Sequence, residues 1–282
     1  MTAEFSGGKM FSKVLGVLQL VLLLILIGCA DKGDDQISPD NSVQIESVIL
    51  KQQSSDCENK GSGNCAKIKI EYIELKSLPD LSVMEKINSK ILEELLRPIG
   101  REKSNSNFDE LMQNFIDEYK NFKMEFPESQ QEWEIERKAE NNFNDDNILS
   151  CTFSEYSYLG GAHPNTFLKF KSFNLNTGEI IDLSDVLIAG YLNELNNIAE
   201  PIFRKEKEVK EDNNLTGAGF WFDDDKFSVN KNFRVGKDGL YFYYNNYEIT
   251  AYAYGPTELF IPYKSIKKLI KPNGLLSGLI SN

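Results

Sequence analysis

Ser157-Tyr158-Leu159-Gly160-Gly161-Ala162-His163-Pro164-Asn165-Thr166 is the stretch on which the reading of this chain turns. It closes a strand predicted from Ile148 to Tyr158 and opens another predicted from Thr166 to Leu175. Two adjacent glycines reach positive φ without a Cβ clash, so the backbone can turn sharply there. Pro164 fixes its own φ and pushes His163 towards an extended conformation. His163 is the single histidine of the 282-residue chain. It has two readings: a corner residue whose ring bonds a nearby carbonyl or carboxylate, or a contact residue on a binding rim.

On the N-terminal side, Val43–Gln53 and Ala66–Leu75 read as paired strands. Val83, Ile87, Ile91 and Leu95 recur at four-residue spacing and predict a helix over Val83–Leu96. Ser82 with Glu85 has the form of a capping box, and Pro98-Ile99-Gly100 ends the helix. A second helix runs from Phe108 to about Phe122, capped at Asn107, with Leu111, Phe115, Tyr119 and Phe122 on its buried face. Trp133–Asn142 is a strand, and Asn144-Asp145-Asp146-Asn147 turns it into the strand beginning at Ile148. On the C-terminal side, Asn176-Thr177-Gly178 is a turn with Glu179–Leu183 as the return segment. Tyr191, Leu195 and Ile198 mark a helix that Pro201 kinks or ends. Phe233–Val235 and Leu240–Tyr244 flank Gly236-Lys237-Asp238-Gly239, a hairpin signal. Thr257–Pro262 is a last strand and Tyr263–Ile270 a last short helix. Strands and helices mix without βαβ alternation, so the expected fold is α+β, with mixed, largely antiparallel sheets and packed helices. Two subdomains are expected, residues 42–145 and 146–282.

The N-terminus carries targeting information. Lys9 and Lys13 precede an apolar run from Val14 to Ile27, broken only by Gln19 and followed by Gly28-Cys29. A basic region, a short apolar region and a small residue read as a secretory signal over residues 1–28. The run is short for a membrane span, although an uncleaved anchor or a buried helix is an alternative. Residues 29–41 are rich in Asp, Gly, Ser and Pro and read as a flexible tether. The formal net charge is −12, from 43 acidic and 31 basic residues. Such a surface repels phosphate backbones and argues against nucleic-acid binding. Export permits disulfides, and Cys57 and Cys65 flank a run of turn-formers that suits a local bridge, contributing ~2–3 kcal/mol. Cys151 shares a strand face with Leu149 and Phe153 and reads as a buried, inert thiol.

Several motifs together resemble a known family. These are Gly160-Gly161-Ala162-His163-Pro164-Asn165, Asn174-Leu175-Asn176-Thr177-Gly178, Asp182-Leu183, Phe220-Trp221-Phe222-Asp223-Asp224, and the tyrosine-rich segments Asp238–Tyr244 and Tyr247–Pro256. The family is a domain of unknown function (DUF3298) found in the extracytoplasmic part of the lysozyme-sensing anti-sigma factor RsiV. It also precedes the catalytic domain of the peptidoglycan deacetylase PdaC. Residues from about 45 to 145 resemble the smaller α/β domain that usually comes before it. The resemblance implies an envelope-facing α+β protein that binds rather than catalyses. Leu26-Ile27-Gly28-Cys29 resembles the bacterial lipobox, which implies lipidation at Cys29 and attachment to the membrane through that anchor alone.

A single histidine rules out an H-x-x-x-H metal site, there is no C-x-x-C pairing, and no cofactor motif is present. A serine–histidine triad lacks the G-x-S-x-G elbow. Glycoside hydrolysis needs two carboxylates ~5–10 Å apart, for which Glu155, Asp223, Asp224, Asp225 and Glu248 are candidates. The expected function is a lipid-anchored cell-envelope protein, a non-catalytic binding module for a cell-wall glycan or a wall-acting protein such as lysozyme. The alternative is a carboxylate-dependent hydrolase of cell-wall polysaccharide. The expected binding rim joins Tyr158, His163, Tyr247, Glu248 and Tyr252, with the rings supplying contact area.

Overall fold

The computed structural model describes residues 43–58, 64–99 and 105–280. The expected signal sequence 1–28, the lipidation site Cys29 and the tether 29–41 lie outside the described residues. Strands β1 (Gln44–Gln53) and β2 (Ala66–Ser77) pair antiparallel. Cys57 and Cys65, between them, are joined by a disulfide with Cα atoms 5.1 Å apart. Helices α1 (Leu81–Leu95) and α2 (Phe108–Glu125) carry the chain to β3 (Trp133–Asn144), which pairs parallel to β2. A crossover of this kind is what a parallel pair requires. A tight turn, in which the Asp145 carboxylate accepts from the amides of Asn147 and Ile148, leads into β4 (Ile148–Leu159). This turn lies at the expected boundary between the two parts of the chain, and the sheet continues through it. β5 (Asn165–Asn174) completes a five-stranded sheet in the order β1-β2-β3-β4-β5.

Both helices cover one face of this sheet. Val83, Ile87, Ile91 and Leu95 of α1 and Leu111, Phe115 and Tyr119 of α2 are buried against Ile68, Ile70, Ile135 and, from β4, Leu149, Cys151 and Phe153. The Cys151 thiol is enclosed, and burial pushes its pKa well above the ordinary thiol range. Alternation along β4 sends Ile148 to the other face, into a second core. By the same alternation Tyr156 and Tyr158 belong to that other face. The second core is built by α3 (Leu183–Val186), α4 (Tyr191–Glu206), the three-stranded sheet of β6 (Phe233–Val235), β7 (Gly239–Tyr244) and β8 (Thr257–Pro262), and α5 (Tyr263–Ile266). The fold is thus α+β, with antiparallel pairing everywhere except β2–β3.

Two local expectations need correction and a third is narrowed. The N-cap of α1 is Asp80, not Ser82: its carboxylate accepts from the amides of Ser82 and Val83 and from the Ser82 hydroxyl. A carboxylate beside the helix N-terminus also complements the dipole, an advantage a hydroxyl lacks. Glu179–Leu183 makes a single bridge, Ile180 to Phe173, before turning into α3. Of the two outcomes expected at Pro201, a kink or an end, the end does not occur, since α4 runs on to Glu206. Phe203 explains this: it is fully buried, edge-on to Phe220 and Phe222. That packing outweighs the hydrogen bond Pro201 cannot donate to Asn197.

The turn at Asn176–Gly178 is fastened to α1. Gly178 has φ +70°, and a Cβ there would stand 2.9 Å from Lys86 Cδ. Glu179 bonds both Lys86 and Lys90, and these hydrogen bonds hold its carboxyl down to about 2. At the far end of α1, Glu94 is buried beneath the sheet's last strand. Arg97, Lys169 and Lys171 approach its carboxylate to 3.0, 2.9 and 2.7 Å. Next to it, Arg137 spends its donors on Glu155 at 2.8 Å and on the carbonyls of Leu95, Arg97 and Pro98, capping the C-terminus of α1.

Burial alone would raise the pKa of Glu94, but hydrogen bonds from Lys171 and Lys169 outweigh it and hold the group below the ordinary carboxylate value. A depressed folded-state pKa stabilises the fold above the unfolded value, and that stabilisation is lost as pH falls through the folded one. Glu94→Gln is therefore expected to cost about 3 kcal/mol at pH 7. Urea unfolding at pH 7 and again at pH 3 should show the gap to wild type narrowing in acid. A gap that stays constant would show that the ion pairs at Glu94 do not support the fold.

Candidate functional site

The corner 159–164 and the loop 245–254 meet at one end of β5, and each is held in shape by its own sequence. At the corner, Gly160 has φ +81° and lies against Gln131, whose Oε1 would stand 2.2 Å from a Cβ. The positive φ favours glycine there, while the Gln131 side chain could move aside for a Cβ. His163 is exposed, and its Nδ1 lies 2.9 Å from the Pro164 carbonyl. A carbonyl can only accept, so Nδ1 carries the proton of that bond. The Tyr252 hydroxyl donates to the same carbonyl at 3.3 Å, and the two rings stack with centroids 4.2 Å apart and planes at 23°. Tyr247 leans on Tyr252 at 5.5 Å and is 56% exposed. Its φ of +64° is a conformation that side chains other than glycine seldom adopt. His163 is thus a corner ring bonded to a neighbouring carbonyl, and it stands exposed beside Tyr252.

The other expected residues fall differently. Tyr158 stands opposite Glu134 in the β3–β4 pairing, outside the stack. The Glu248 carboxylate takes one hydrogen bond from the Asn230 amide at 2.7 Å and another from the Asn245 backbone at 2.8 Å. Both of its oxygens are thereby engaged in closing the loop that carries Tyr247. Of the remaining candidate acids, Glu155 is paired with Arg137 and Asp225 accepts from the Thr216 amide at 2.6 Å. Asp223–Asp225 is a 3-10 turn with none of its side chains buried. Among the described residues, no group of three or more His, Cys, Asp or Glu side chains is placed to hold a metal.

What pins the loop is a set of asparagines that sequence reasoning passed over. Asn245 accepts from the Leu168 amide at 2.7 Å and donates to the Leu168 carbonyl at 2.9 Å. Asn232 accepts from the Phe170 amide at 2.7 Å and donates to the carbonyls of Leu168 and Tyr243, each at 2.9 Å. Asn246 donates to Thr166 Oγ1 at 3.1 Å. Beside this junction lies a groove of about 300 Å3 lined by Lys138, Ser154, Tyr156, Thr166, Leu168 and Tyr243, among others. Thr166 borders the groove and also accepts from Asn246, the neighbour of Tyr247, so the groove begins near the rim. Larger hollows along α4 and beside Asp145, about 510 and 590 Å3, do not border the rim. Two further exposed rings, Trp221 and Tyr254, belong to the same loop system. Trp221 bonds the Ile249 carbonyl through its amide at 2.7 Å, and Tyr254 lies over Gly219. The signal that could have found Tyr156 and Tyr243 is their alternation with core positions on β4 and β7.

Asn245→Ala should cost about 1–3 kcal/mol, since it leaves the Leu168 amide and carbonyl without this partner. Hydrogen exchange at the Leu168 amide should accelerate, while Asn246→Ala should be near neutral in stability. Unchanged exchange at Leu168 in the Asn245 variant would show that the clamp does not hold the strand edge.

Comparison with known proteins agrees with this architecture. Residues 184–264 match the family model described as a protein of unknown function (DUF3298), and residues 59–166 match that described as deacetylase PdaC. The chain is 26% identical over 125 residues to the peptidoglycan-N-acetylmuramic acid deacetylase PdaC of Bacillus subtilis. That match takes in 44% of this chain and 26% of the relative, so the chain spans about a quarter of that protein's length. A DUF3298-family protein of Bacteroides fragilis shares the fold with a TM-score of 0.72 at 20% identity, over 86% of this chain and 99% of that one. Another, from Pseudomonas aeruginosa, aligns with a TM-score of 0.63 at 18% identity, over 83% and 97% of the two chains. The chain therefore carries a PdaC-type domain over residues 59–166 followed by a DUF3298 domain over residues 184–264.

Proposed function

We propose that this protein is a non-catalytic binding module of the bacterial cell envelope, lipid-anchored at Cys29, which recognises cell-wall glycan at the rim formed by His163, Tyr252 and Tyr247. The observation that carries this reading is the ring stack set near an open groove whose lining includes Tyr156 and Tyr243 together with the carboxylates Glu136 and Glu155. Flat aromatic faces at the edge of a groove suit the apolar faces of sugar rings. The polar groups of Thr166, Ser154 and Tyr156 suit their hydroxyls. The similarity to a Bacillus subtilis enzyme named for peptidoglycan supports the wall as the setting. The lipobox-like Leu26-Ile27-Gly28-Cys29 and the Cys57–Cys65 bridge both fit export. Tyr158 has no part in this rim, and Glu248 serves the site by fixing the loop. Binding is favoured over carboxylate hydrolysis because Glu155, Glu248 and Asp225 are each committed to structural partners.

Calorimetric titration tests the reading, with soluble glycan strands from peptidoglycan and, separately, lysozyme as ligands. Tyr252→Ala, which removes the ring in contact with both of the others, should lose about 2 kcal/mol or more of glycan affinity. Tyr247→Ala should lose less, and Asp225→Asn should change nothing. Glycan binding that is equal in wild type and both tyrosine variants would put the site elsewhere. Titration by lysozyme alone would make the partner a protein. The anchoring is tested by fractionation: Cys29→Ser should move the protein from the membrane to the soluble fraction, and retention would refute the lipidation.

A further inference from the structure

Among the described residues, Arg234 is a cation held by aromatic rings and by no hydrogen bond or ion pair of its side chain. Arg234, in β6, projects from the sheet face opposite Phe233 and Val235, which are buried in the core. Its guanidinium carbon lies 3.9 Å from the centre of the Tyr241 ring and 5.0 Å from that of Phe170. Arg234 and Tyr241 are direct cross-strand partners, and Tyr241 in turn packs on its own partner Phe260 at 4.7 Å. The Nε of Arg234 is buried without a hydrogen-bond partner, and among the described residues the side chain forms no ion pair. The nearby carboxylate is Glu258, which acts on it through space without a hydrogen bond. The enclosed Nε is out of a ligand's reach, but the terminal N–H groups make no hydrogen bond to any described residue either, and these are the donors a ligand would meet. The contrast with Arg137 and Arg204 is sharp, since both direct their donors at carbonyls and carboxylates.

The position ties this arginine to the groove. The Phe170 ring beneath Arg234 is in edge contact with Tyr243 at 5.9 Å, and Tyr243 lines the groove. With the guanidinium packed against two rings, its fork of N–H groups is the part left to meet an acceptor, and that fork matches two coplanar oxygens. That geometry selects a carboxylate over a hydroxyl or a single carbonyl.

We infer that Arg234, braced by Tyr241 and Phe170, is a carboxylate-binding subsite, so that the ligand of the adjoining groove is an acidic saccharide rather than a neutral one. This rests on the glycan reading above and makes it specific. The protein's own net charge of −12 opposes any acidic ligand, so an acid preference must come from a local contact.

The test titrates three saccharides of similar size by calorimetry: a neutral N-acetylglucosamine disaccharide, a disaccharide whose second ring carries a free lactyl carboxylate, and the methyl ester of the latter. Wild type should bind the free acid about tenfold or more tightly than its ester. Arg234→Gln should bind all three alike, at the affinity wild type shows for the ester. Arg234→Lys keeps the charge without the fork and should recover only part of the preference. Circular dichroism checks that the variants are folded. Equal affinity of wild type for acid and ester, with binding present, overturns the carboxylate subsite and leaves the glycan reading intact. An acid preference that survives Arg234→Gln also overturns it. Failure of all three to bind overturns both.

Discussion

The free edge of β5 is the constraint on which the site depends. An edge strand offers amides and carbonyls that nothing in its own sheet satisfies, and such edges invite pairing with another chain. Here two asparagine side chains take the place of a further strand. A primary amide carries one acceptor and one donor side by side, the same pair that a peptide group presents along a strand. Asn245 and Asn232 use that likeness to dock on Leu168 and Phe170. Both belong to the C-terminal three-stranded region, so the docking joins two separately cored sheets at the level of the backbone. Ser172 adds a third link, its hydroxyl accepting from the Val235 amide at 2.9 Å. Without these bonds the loop 245–254 would have no fixed height above the sheet.

Much of the fold is legible in the sequence because its signals are local. The four-residue spacing of Val83, Ile87, Ile91 and Leu95 and the glycine-bounded hairpin at Gly236–Gly239 depend on neighbours alone. So does the alternation that buries Leu149, Cys151 and Phe153. The misread points are contests between local rules and something else. Asp80 and Ser82 are both good caps two residues apart, and charge decides between them. Pro201 by local rule kinks or stops a helix, and a buried ring downstream carries it through. The site itself is the least legible part, for a different reason. Tyr252 meets Pro164, and Asn245 meets Leu168, across sequence separations of 88 and 77 residues that no periodicity reports. Asparagines in loops read as turn-formers, and only the assembled fold shows which of them reach a strand edge.

Charge is handled in two opposite ways in this molecule, and the difference separates structure from site. Around α1, Glu94 and Arg137 are buried with every strong contact supplied by the chain, so they fix how helix and sheet meet. Removing one partner would strand the others. On the outer face of the second sheet, Arg234 is stripped of part of its water and packed on aromatic rings, with Glu258 near it but not hydrogen-bonded to it. Attraction to the ring quadrupoles offsets some of that loss. It satisfies none of the N–H groups, which remain directed at whatever lies in the plane.

The rim shows the same economy of motion. Tyr247 is held at positive φ, a state that costs about 1–3 kcal/mol where surrounding contacts enforce it. The contacts that enforce it are those of Glu248 with Asn230 and with the Asn245 backbone. The strain is therefore stored next to the one exposed ring that leads the stack, and the bonds compensating for it belong to the clamp on β5. Tyr252 and His163 are in turn tied to a single carbonyl, that of Pro164, whose ring limits its own rotation. Each ring is thus oriented before a ligand arrives. Rings ordered in advance lose little conformational entropy on contact, and a shallow surface can then bind without first closing over its ligand. A loop of ordinary tyrosines on a free hairpin would present the same side chains and lack this property.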